Sequence, residues 1–266
     1  MRHSNLHTHT TFSDGKNTVE ENILSAIEKG FVSLGISDHS YTEFDDTYCI
    51  PADAVGKYIS EIRRLGEVYR DRIEVYLGIE LDGFCDRPTD DYDYIIGSCH
   101  YVKNAYGYFS VDHCIEVQEM TLERYYDSDP LKYAEAYFET IAELTAKNKP
   151  DIIGHFDLAS KFGKMPEDNP KYRRFAIDSL EACLAVTPII EVNNGAISRG
   201  IRDVPYPAPF LLPEIKRLGG KLILSSDSHK KENLDFNFDS MVEMLKEFGF
   251  ESIMMLKNNA FEEIGI

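Results

Sequence analysis

Eight histidines are spread along the chain, and six of them stand where a predicted β-strand ends. These six are His7, His9, His39, His100, His155 and His229. Glu80 and Asp227 occupy the same kind of position. A single histidine is more often structural, but six with one shared placement, joined by two carboxylates, favour a metal centre. Imidazole nitrogens and carboxylate oxygens suit zinc, manganese or iron better than copper(I).

Apolar runs and helical periodicities alternate along the chain and determine where these side chains lie. We predict strands over residues 4–9, 32–37, 73–81, 94–99, 152–153, 188–192, 221–224 and 252–256. Helices are predicted over residues 18–30, 51–65, 133–149, 175–184, 210–218 and 241–248. Thr18 and Glu21 match the capping box that opens a helix. Residues 101–128, rich in tyrosine and acidic side chains, are expected to form a long loop or small insertion.

Strands that alternate with helices indicate a mainly parallel sheet and an α/β fold. At 266 residues the expected form is a TIM-like barrel with its helices outside, built as one domain over residues 1–266. A doubly wound open sheet is the alternative, although no glycine-rich nucleotide-binding motif follows a strand. In a barrel the C-terminal ends of the strands form the active site, and the six histidines are expected there.

The chain carries 46 acidic and 28 basic residues, for a formal net charge of −18. This balance disfavours a nucleic-acid partner, because phosphate backbones require clustered Lys and Arg. The sequence shows no apolar N-terminal run and no uncharged stretch long enough for a membrane span, so we expect neither a signal peptide nor a membrane partner. Five scattered cysteines without a CxxC pair indicate a reducing compartment, and a cytoplasmic location is expected.

Short segments at the predicted strand ends carry the candidate ligands. They are His7-Thr8-His9-Thr10-Thr11-Phe12-Ser13-Asp14-Gly15, Ser37-Asp38-His39, Gly78-Ile79-Glu80, Gly97-Ser98-Cys99-His100, Gly154-His155-Phe156-Asp157 and Ser225-Ser226-Asp227-Ser228-His229. In this order and spacing they resemble the motifs of the polymerase and histidinol phosphatase (PHP) family, from residue 3 to about residue 230. The resemblance implies a distorted (β/α)7 barrel with up to three divalent metal ions.

The resemblance also implies three sets of metal ligands. The first set is His7, His9, Glu80 and Asp227. The second shares Glu80 as a bridge and adds His100 and His155. The third is His39, His229 and Asp14, although Asp14 could instead belong to a Ser-Asp-Gly turn. Glu80, Asp227 and His229 are expected to act in catalysis, with zinc, manganese or iron as the metal.

The segment that follows the predicted strand 188–192 supplies a candidate phosphate-binding group. Arg199 offers a planar fork that suits phosphate oxygens, and Lys161, on the loop after His155, is a second candidate. Arg202 is a weaker candidate, and each of these cations could instead be a solvated surface group. Asn193 would hydrogen-bond the substrate or cap the strand end.

Two carboxylates beside candidate ligands are expected to hold imidazoles in place. Asp38 would accept the remote N–H of His39, and Asp157 that of His155. The alternative for both is a surface or helix-cap carboxylate.

The other two histidines lack the strand-end placement. His3 is expected at the surface and His113 in a loop. The tract 101–113, with its aromatic residues and Asp112, is expected to form one wall of the substrate pocket.

Within the family, the chain resembles the stand-alone histidinol-phosphatase branch, through its Gly-Ile-Glu and Gly-His-Phe-Asp segments and residues 193–199. That branch implies hydrolysis of L-histidinol phosphate to L-histidinol and phosphate in histidine biosynthesis. One alternative is a phosphoesterase for another small phosphate ester, a nucleotide or phosphotyrosine. The other is a non-catalytic metal-binding module, which the complete set of histidines and carboxylates disfavours.

Overall fold

The computed structural model describes residues 3–266, in which strands alternate with helices. The strands of the main sheet are β1 (Ser4–Asn5), β2 (Ser33–Ile36), β3 (Glu74–Asp82), β4 (Tyr94–Ser98), β7 (Ile152–Ile153), β8 (Ile189–Asn193), β9 (Lys221–Ser225), β10 (Ser252–Lys257) and β11 (Ala260–Gly265). A separate hairpin consists of β5 (Tyr101–Asn104) and β6 (Gly107–Ser110). The helices are α1 (Val19–Glu28), α2 (Val55–Tyr69), α3 (Ile115–Tyr125), α4 (Pro130–Asn148), α5 (Pro170–Leu184), α6 (Gly195–Ser198), α7 (Leu212–Arg217) and α8 (Phe238–Glu247).

The main sheet has the order β1-β2-β3-β4-β7-β8-β9-β10-β11, and all neighbours are parallel except β10 and β11. The sheet curls until its first and seventh strands meet beyond their ends. There Thr8 forms a parallel bridge with Ser228, and the His9 amide donates to the Ser228 carbonyl at 2.8 Å. Strand β10 also lies beside β9. The two strands are parallel, and Met254 pairs with Ile223. This arrangement confirms the expected distorted seven-stranded barrel.

The inside of the barrel is filled by apolar side chains that point inward from successive strands. This cluster comprises Leu6, Tyr76, Tyr94, Ile96, Ile152, Ile189, Ile223 and Leu256. The Tyr94 ring lies across the interior, where its hydroxyl donates to the Leu6 carbonyl. A Cβ at Gly78 would stand 2.1 Å from Cζ of this ring, so only glycine fits there. The filled interior leaves the C-terminal mouth as the place for a ligand.

Helix ends follow the sequence signals where polar caps exist. Thr18 and Glu21 form the predicted capping box at the start of α1, with the Thr18 amide donating to Glu21 Oε2 at 2.9 Å. Asn169 caps α5, which begins at Pro170, five residues before the predicted start. Residues 209–211 form a 3₁₀ turn before α7. Among residues 3–266, we find no helix both long and apolar enough to cross a membrane.

Two segments differ from the sequence prediction. Residues 101–128 are mostly regular, since they form the β5–β6 hairpin and α3. Helix α3 lacks a side-chain cap and alternates polar with apolar residues, so its sequence signal is weak. The chain also returns as β11 after a tight turn at Asn258 and Asn259, whose φ angles of 51° and 58° suit a two-residue hairpin.

Candidate metal centre

All six strand-end histidines lie together at the C-terminal mouth of the barrel. His7 and His9 follow β1, two residues apart on extended chain, so that both face inward. The pairing of β2 with β3 resumes at a bridge between His39 and Glu80, which brings these two side chains together. The remaining members of the cluster follow β4, β7 and β9. They are His100, His155, Asp227 and His229.

Glu80 is the centre of the cluster and is almost completely buried. Its Oε2 lies 2.7 Å from His39 Nδ1 and 3.2 Å from His7 Nε2. Its Oε1 lies 2.9 Å from His155 Nε2 and 3.2 Å from His100 Nε2. One carboxylate therefore contacts four imidazoles from four different strand ends.

Asp14 joins a second group of imidazoles nearer the solvent. Its Oδ2 lies 3.1 Å from His229 Nε2, and its Oδ1 lies 3.7 Å from His39 Nε2. The His9 ring stacks between those of His229 and His39, at centroid distances of 4.2 and 4.4 Å. The loop that carries Asp14 passes so close to the His9 backbone that a Cβ at Gly15 would lie 2.5 Å from it.

Asp227 stands between the histidine cluster and a cation. Its Oδ1 lies 3.2 Å from His9 Nε2, and its Oδ2 accepts from Arg199 Nη2 at 3.2 Å. The residue has a φ of 46°, in the left-handed region that aspartate and asparagine tolerate better than most residues. This backbone turn directs the carboxylate back over the mouth after β9.

The buried nitrogens and oxygens of this cluster fit a bound metal ion. Several form no hydrogen bond of acceptable geometry among residues 3–266, even where another polar atom lies close, and each would carry a desolvation penalty if left in this state. These atoms are His7 Nε2, both ring nitrogens of His9, Glu80 Oε2, His100 Nδ1 and His155 Nδ1. Ligand atoms within 4.8 Å of one another form four overlapping groups. The groups are His9, Asp14, His39 and His229; His7, Glu80 and His155; His7, His9 and Asp227; and His39, Glu80 and His100.

Electrostatics keep the carboxylates charged and His9 neutral. Burial opposes ionisation of Glu80, but the imidazoles of His39, His7 and His100 lower its pKa well below the ordinary value. Burial and the neighbouring imidazoles of His229 and His39 lower the pKa of His9 to about 3. A neutral imidazole beside an ionised carboxylate is the form that binds a divalent cation.

A cavity of about 760 Å³ opens over this cluster, and two basic side chains line it. Arg199 lies beside Asp227, and its side chain is 34% exposed. Lys161 Nζ donates to Oδ2 of Asp112 at 3.0 Å and to the Asp112 carbonyl at 2.9 Å. Both candidate phosphate-binding cations therefore border the cavity.

Two of the other polar candidates, Arg202 and Asn193, lie elsewhere. Arg202 packs away from the cavity, with Nη1 donating to the Ser160 carbonyl at 2.7 Å and its guanidinium over the Tyr206 ring. Asn193 caps the end of β8, because its Oδ1 accepts from the Gly195 amide at 2.8 Å.

The expected roles of Asp38 and Asp157 as imidazole acceptors are wrong. Asp38 instead accepts from the Thr10 amide and hydroxyl, both at 2.7 Å, and so fixes the loop after β1. Asp157 Oδ2 accepts from the Ala208 amide at 3.0 Å. Burial raises the pKa of Asp157 to about 6, although Arg202 opposes this shift.

The carboxylates that do lie behind candidate ligand imidazoles are Glu191 and Asp82, which the sequence did not lead us to predict. Glu191 Oε2 lies 2.9 Å from His7 Nδ1, and Asp82 Oδ2 lies 3.4 Å from His100 Nδ1. Both are buried in largely apolar strands, Glu191 in the middle of β8 and Asp82 as the last residue of β3. The sequence did carry a signal for these two residues, namely a charged side chain within an apolar strand. Because charges are almost never buried without a partner, such a residue indicates a buried polar contact.

The remaining sequence expectations concern the cavity wall and the last two histidines. Tyr101, Ser110, Asp112 and His113 line the cavity, so the tract 101–113 does form one of its walls. His113 lies in a loop and is exposed, as expected. His3 is half-buried near the rings of Phe31 and Phe238 rather than at the open surface.

The fold and the mouth together define a β/α barrel whose histidine–carboxylate groups are suited to metal ions. The PHP domain family model matches residues 5–195, and the chain belongs to this family. It is 26% identical to a probable histidinol-phosphatase of Deinococcus radiodurans, over 93% of this chain and 94% of that protein.

Two solved structures share the fold. A putative histidinol phosphatase of Listeria monocytogenes superposes with a TM-score of 0.78 at 18% identity, covering 90% of this chain and 99% of the other. The histidinol phosphate phosphatase of Lactococcus lactis, complexed with zinc, L-histidinol and phosphate, superposes with a TM-score of 0.73 at 19% identity. That match covers 97% of this chain and 98% of the other.

Proposed function

We propose that this chain is a metal-dependent phosphomonoesterase that hydrolyses L-histidinol phosphate to L-histidinol and phosphate. The observation that carries the proposal is the Glu80 carboxylate in contact with four imidazoles, beneath a cavity lined by Arg199 and Lys161. The name and the nearly full-length match of the Deinococcus radiodurans relative support the substrate. The enzyme acts in histidine biosynthesis in the cytoplasm.

Up to three divalent ions, zinc, manganese or iron, are held by the clustered side chains. The first set of ligands is His7, His9 and Asp227, which form one of the four groups, together with Glu80, whose Oε2 lies beside His7 Nε2. The second is Glu80, His100 and His155, supported by the contacts of both Nε2 atoms with Glu80 Oε1. The third is Asp14, His39 and His229. The His9 ring stacks between the rings of His39 and His229, so His9 also belongs to this set.

Metal ions in such a centre supply Lewis-acid stabilisation of phosphoryl oxygens and lower the pKa of bound water. The residues of the chain position the substrate beside them. Arg199 binds phosphate oxygens through its planar fork, and Asp227 holds that fork at the edge of the cluster. Lys161, steadied by Asp112, adds a second positive charge to the same cavity.

The test is an assay of metal content and of phosphate release from one preparation. Purified protein should contain at least one transition metal per chain and release phosphate from L-histidinol phosphate more efficiently than from p-nitrophenyl phosphate, nucleoside monophosphates or phosphotyrosine. Release from generic monoesters but not from L-histidinol phosphate would reject this substrate. Metal without any phosphatase activity would favour a non-catalytic binding module.

A phosphate ester larger than L-histidinol phosphate is the second candidate substrate. The cavity of about 760 Å³ falls in the range that accommodates drug-sized ligands, and a nucleotide would fit within it. A substrate panel ranked by kcat/KM separates the two candidates, because a nucleotide enzyme should prefer a nucleoside monophosphate over the amino-alcohol ester.

A further inference from the structure

One wall of the cavity is formed by the loop after β2 together with the hairpin that follows β4. Asp45 lies on that loop and is half-buried. Its Oδ2 accepts from the Tyr101 hydroxyl at 2.8 Å, and its Oδ1 accepts from the Thr47 hydroxyl at 2.7 Å. The carboxylate is thus held in one orientation on the cavity wall.

Asp45 differs from the other carboxylates that line the cavity. Asp14, Glu80 and Asp227 contact the imidazoles of the metal centre, and Asp112 is neutralised by Lys161. Asp45, by contrast, has no Lys or Arg nitrogen within 4.0 Å among the residues that the structure describes. Hydrogen bonds from Thr47 and Tyr101 lower its pKa against the effect of partial burial, and the His113 imidazole adds to this. Its negative charge is therefore available to a ligand.

The Tyr48 ring lies against the histidine cluster and lines the same cavity as this carboxylate. It packs edge-on against His39, with ring centroids 4.9 Å apart, and Tyr101 lines this cavity as well. A ligand with its phosphate beside the metal centre would place its other polar groups in the same cavity that Asp45 lines. L-Histidinol phosphate carries its amine one carbon from the ester carbon, and its imidazole extends beyond that.

We propose that Asp45 binds the cationic nitrogen of the substrate and so selects phosphate esters that carry a positive charge. The inference rests on the proposed phosphatase function and adds a specificity-determining residue to it. A carboxylate fixed by two hydroxyls pairs with an N–H donor at little further entropic cost. Ammonium and imidazolium both offer such a donor, and substrate analogues distinguish between them.

The experiment compares Asp45→Asn with the wild-type holoenzyme. The asparagine keeps the shape of the side chain and one accepting oxygen but removes the charge. The ratio of kcat/KM for L-histidinol phosphate to kcat/KM for phenyl phosphate should fall about 10- to 100-fold, the range for loss of a charge-assisted hydrogen bond. Asp45→Lys should lower the ratio further. Asp46→Asn, at the exposed neighbouring carboxylate, should leave the ratio unchanged.

Two analogues identify the cation that is bound. L-Phenylalaninol phosphate keeps the amine without the imidazole, and 3-(imidazol-4-yl)propyl phosphate keeps the imidazole without the amine. The analogue that retains the partner of Asp45 should show the same drop in kcat/KM on Asp45→Asn. The proposal is overturned if the wild-type enzyme hydrolyses L-histidinol phosphate and Asp45→Asn leaves the ratio intact, or if Asp46→Asn lowers it equally. Wild-type protein inactive on L-histidinol phosphate would refute the proposed function instead.

Discussion

Oε2 of Glu191 lies 2.9 Å from Nδ1 of His7, and both side chains are buried beneath the mouth of the barrel. Glu191 also accepts from the His155 amide at 2.6 Å, the Asn193 side chain at 2.8 Å and the Ser225 hydroxyl at 2.7 Å. An ionised carboxylate can only accept, so Nδ1 of His7 carries a proton, and Nε2 is the ring nitrogen that faces Glu80 and the metal-binding cluster. A carboxylate behind an imidazole in this way orients it for metal binding.

Replacing Glu191 with glutamine should therefore weaken metal binding. Every partner of Glu191 is a donor, so the amide NH₂ of Glu191→Gln would face donors and displace the His7 ring. We expect metal affinity to fall about 10- to 100-fold, the usual cost of losing such an outer carboxylate. Metal per chain, measured after dialysis against graded chelator, reports this directly. Glu181→Gln, on the exposed face of α5, is the control, and equal retention in both variants would contradict the prediction.

The barrel and the histidine–carboxylate cluster at its mouth were largely predictable from the sequence, because alternation of strands and helices and the strand-end placement of histidines are local patterns. The neighbours of those histidines were not. Asp38 precedes His39 directly, and successive residues on extended chain point to opposite sides, so the two side chains diverge. The partner of His7 is Glu191, which is 184 positions away in sequence. Only the closure of the barrel brings such residues together.

The hairpin and β11 were missed for a different reason. Strands β5 and β6 have four residues each, too short for a clear alternation of apolar and polar side chains. Their aromatic residues instead contact one another and the loop after β2, as in the parallel stacking of Tyr108 on Phe44 at 3.9 Å. Packing between segments that are distant in sequence determines the structure of the hairpin. Local periodicity in the sequence carries no information about such packing.

Arg199→Lys should weaken phosphate binding although the charge is retained. A lysine ammonium is a point charge that cannot match the two-pronged contact of a guanidinium with phosphate, and it would also lose the present contact with Asp227. We expect the inhibition constant of inorganic phosphate to rise about 10-fold or more, measured by product inhibition. Arg174→Lys, on the exposed surface of α5, should not change this constant. An unchanged constant in Arg199→Lys would remove Arg199 from the phosphate site.

Asp112 should contribute to folding stability in a pH-dependent way. Burial opposes its ionisation, but Lys161 and, more weakly, His100 lower its pKa to about 2. Because the folded-state pKa lies below the unfolded value, the contribution is present above about pH 4 and is lost as the pH falls towards 2.

The variant that tests this is Asp112→Asn. The Asp112 side chain is 26% exposed in the wild type, and solvent therefore screens part of its interaction with Lys161. We expect Asp112→Asn to lower the free energy of unfolding by about 1–2 kcal/mol at pH 7. Urea unfolding at pH 7 and near pH 3 should show the difference from wild type shrinking in acid. Asp178→Asn removes an exposed ion pair with Arg174 and should cost less than about 0.5 kcal/mol. A difference that is constant with pH would exclude the Asp112–Lys161 pair as its cause.

Removing the carboxylate of Asp227 should abolish phosphate release while the fold persists, provided that the replacement residue tolerates the left-handed backbone conformation at this position. At a φ of 46°, Asp227→Ala would add backbone strain of about 1 kcal/mol to the loss of the carboxylate, whereas Asp227→Asn tolerates this conformation. Asp127 has a φ of 53° on the exposed surface and supplies the matched control. Asp127→Asn and Asp127→Ala should leave kcat unchanged, and their difference in melting temperature measures the strain alone.

In Asp227→Asn the oxygen next to His9 and the charge that holds Arg199 are both altered. We expect kcat/KM to fall about 10³-fold or more, because a metal ligand and the position of the phosphate-binding fork are lost together. Metal content per chain should fall as well, while the melting temperature should change little beyond the loss of bound metal. An Asp227→Asn protein with nearly wild-type turnover and full metal content would show that Asp227 neither binds metal nor acts in catalysis, and would shift the centre to the four imidazoles around Glu80.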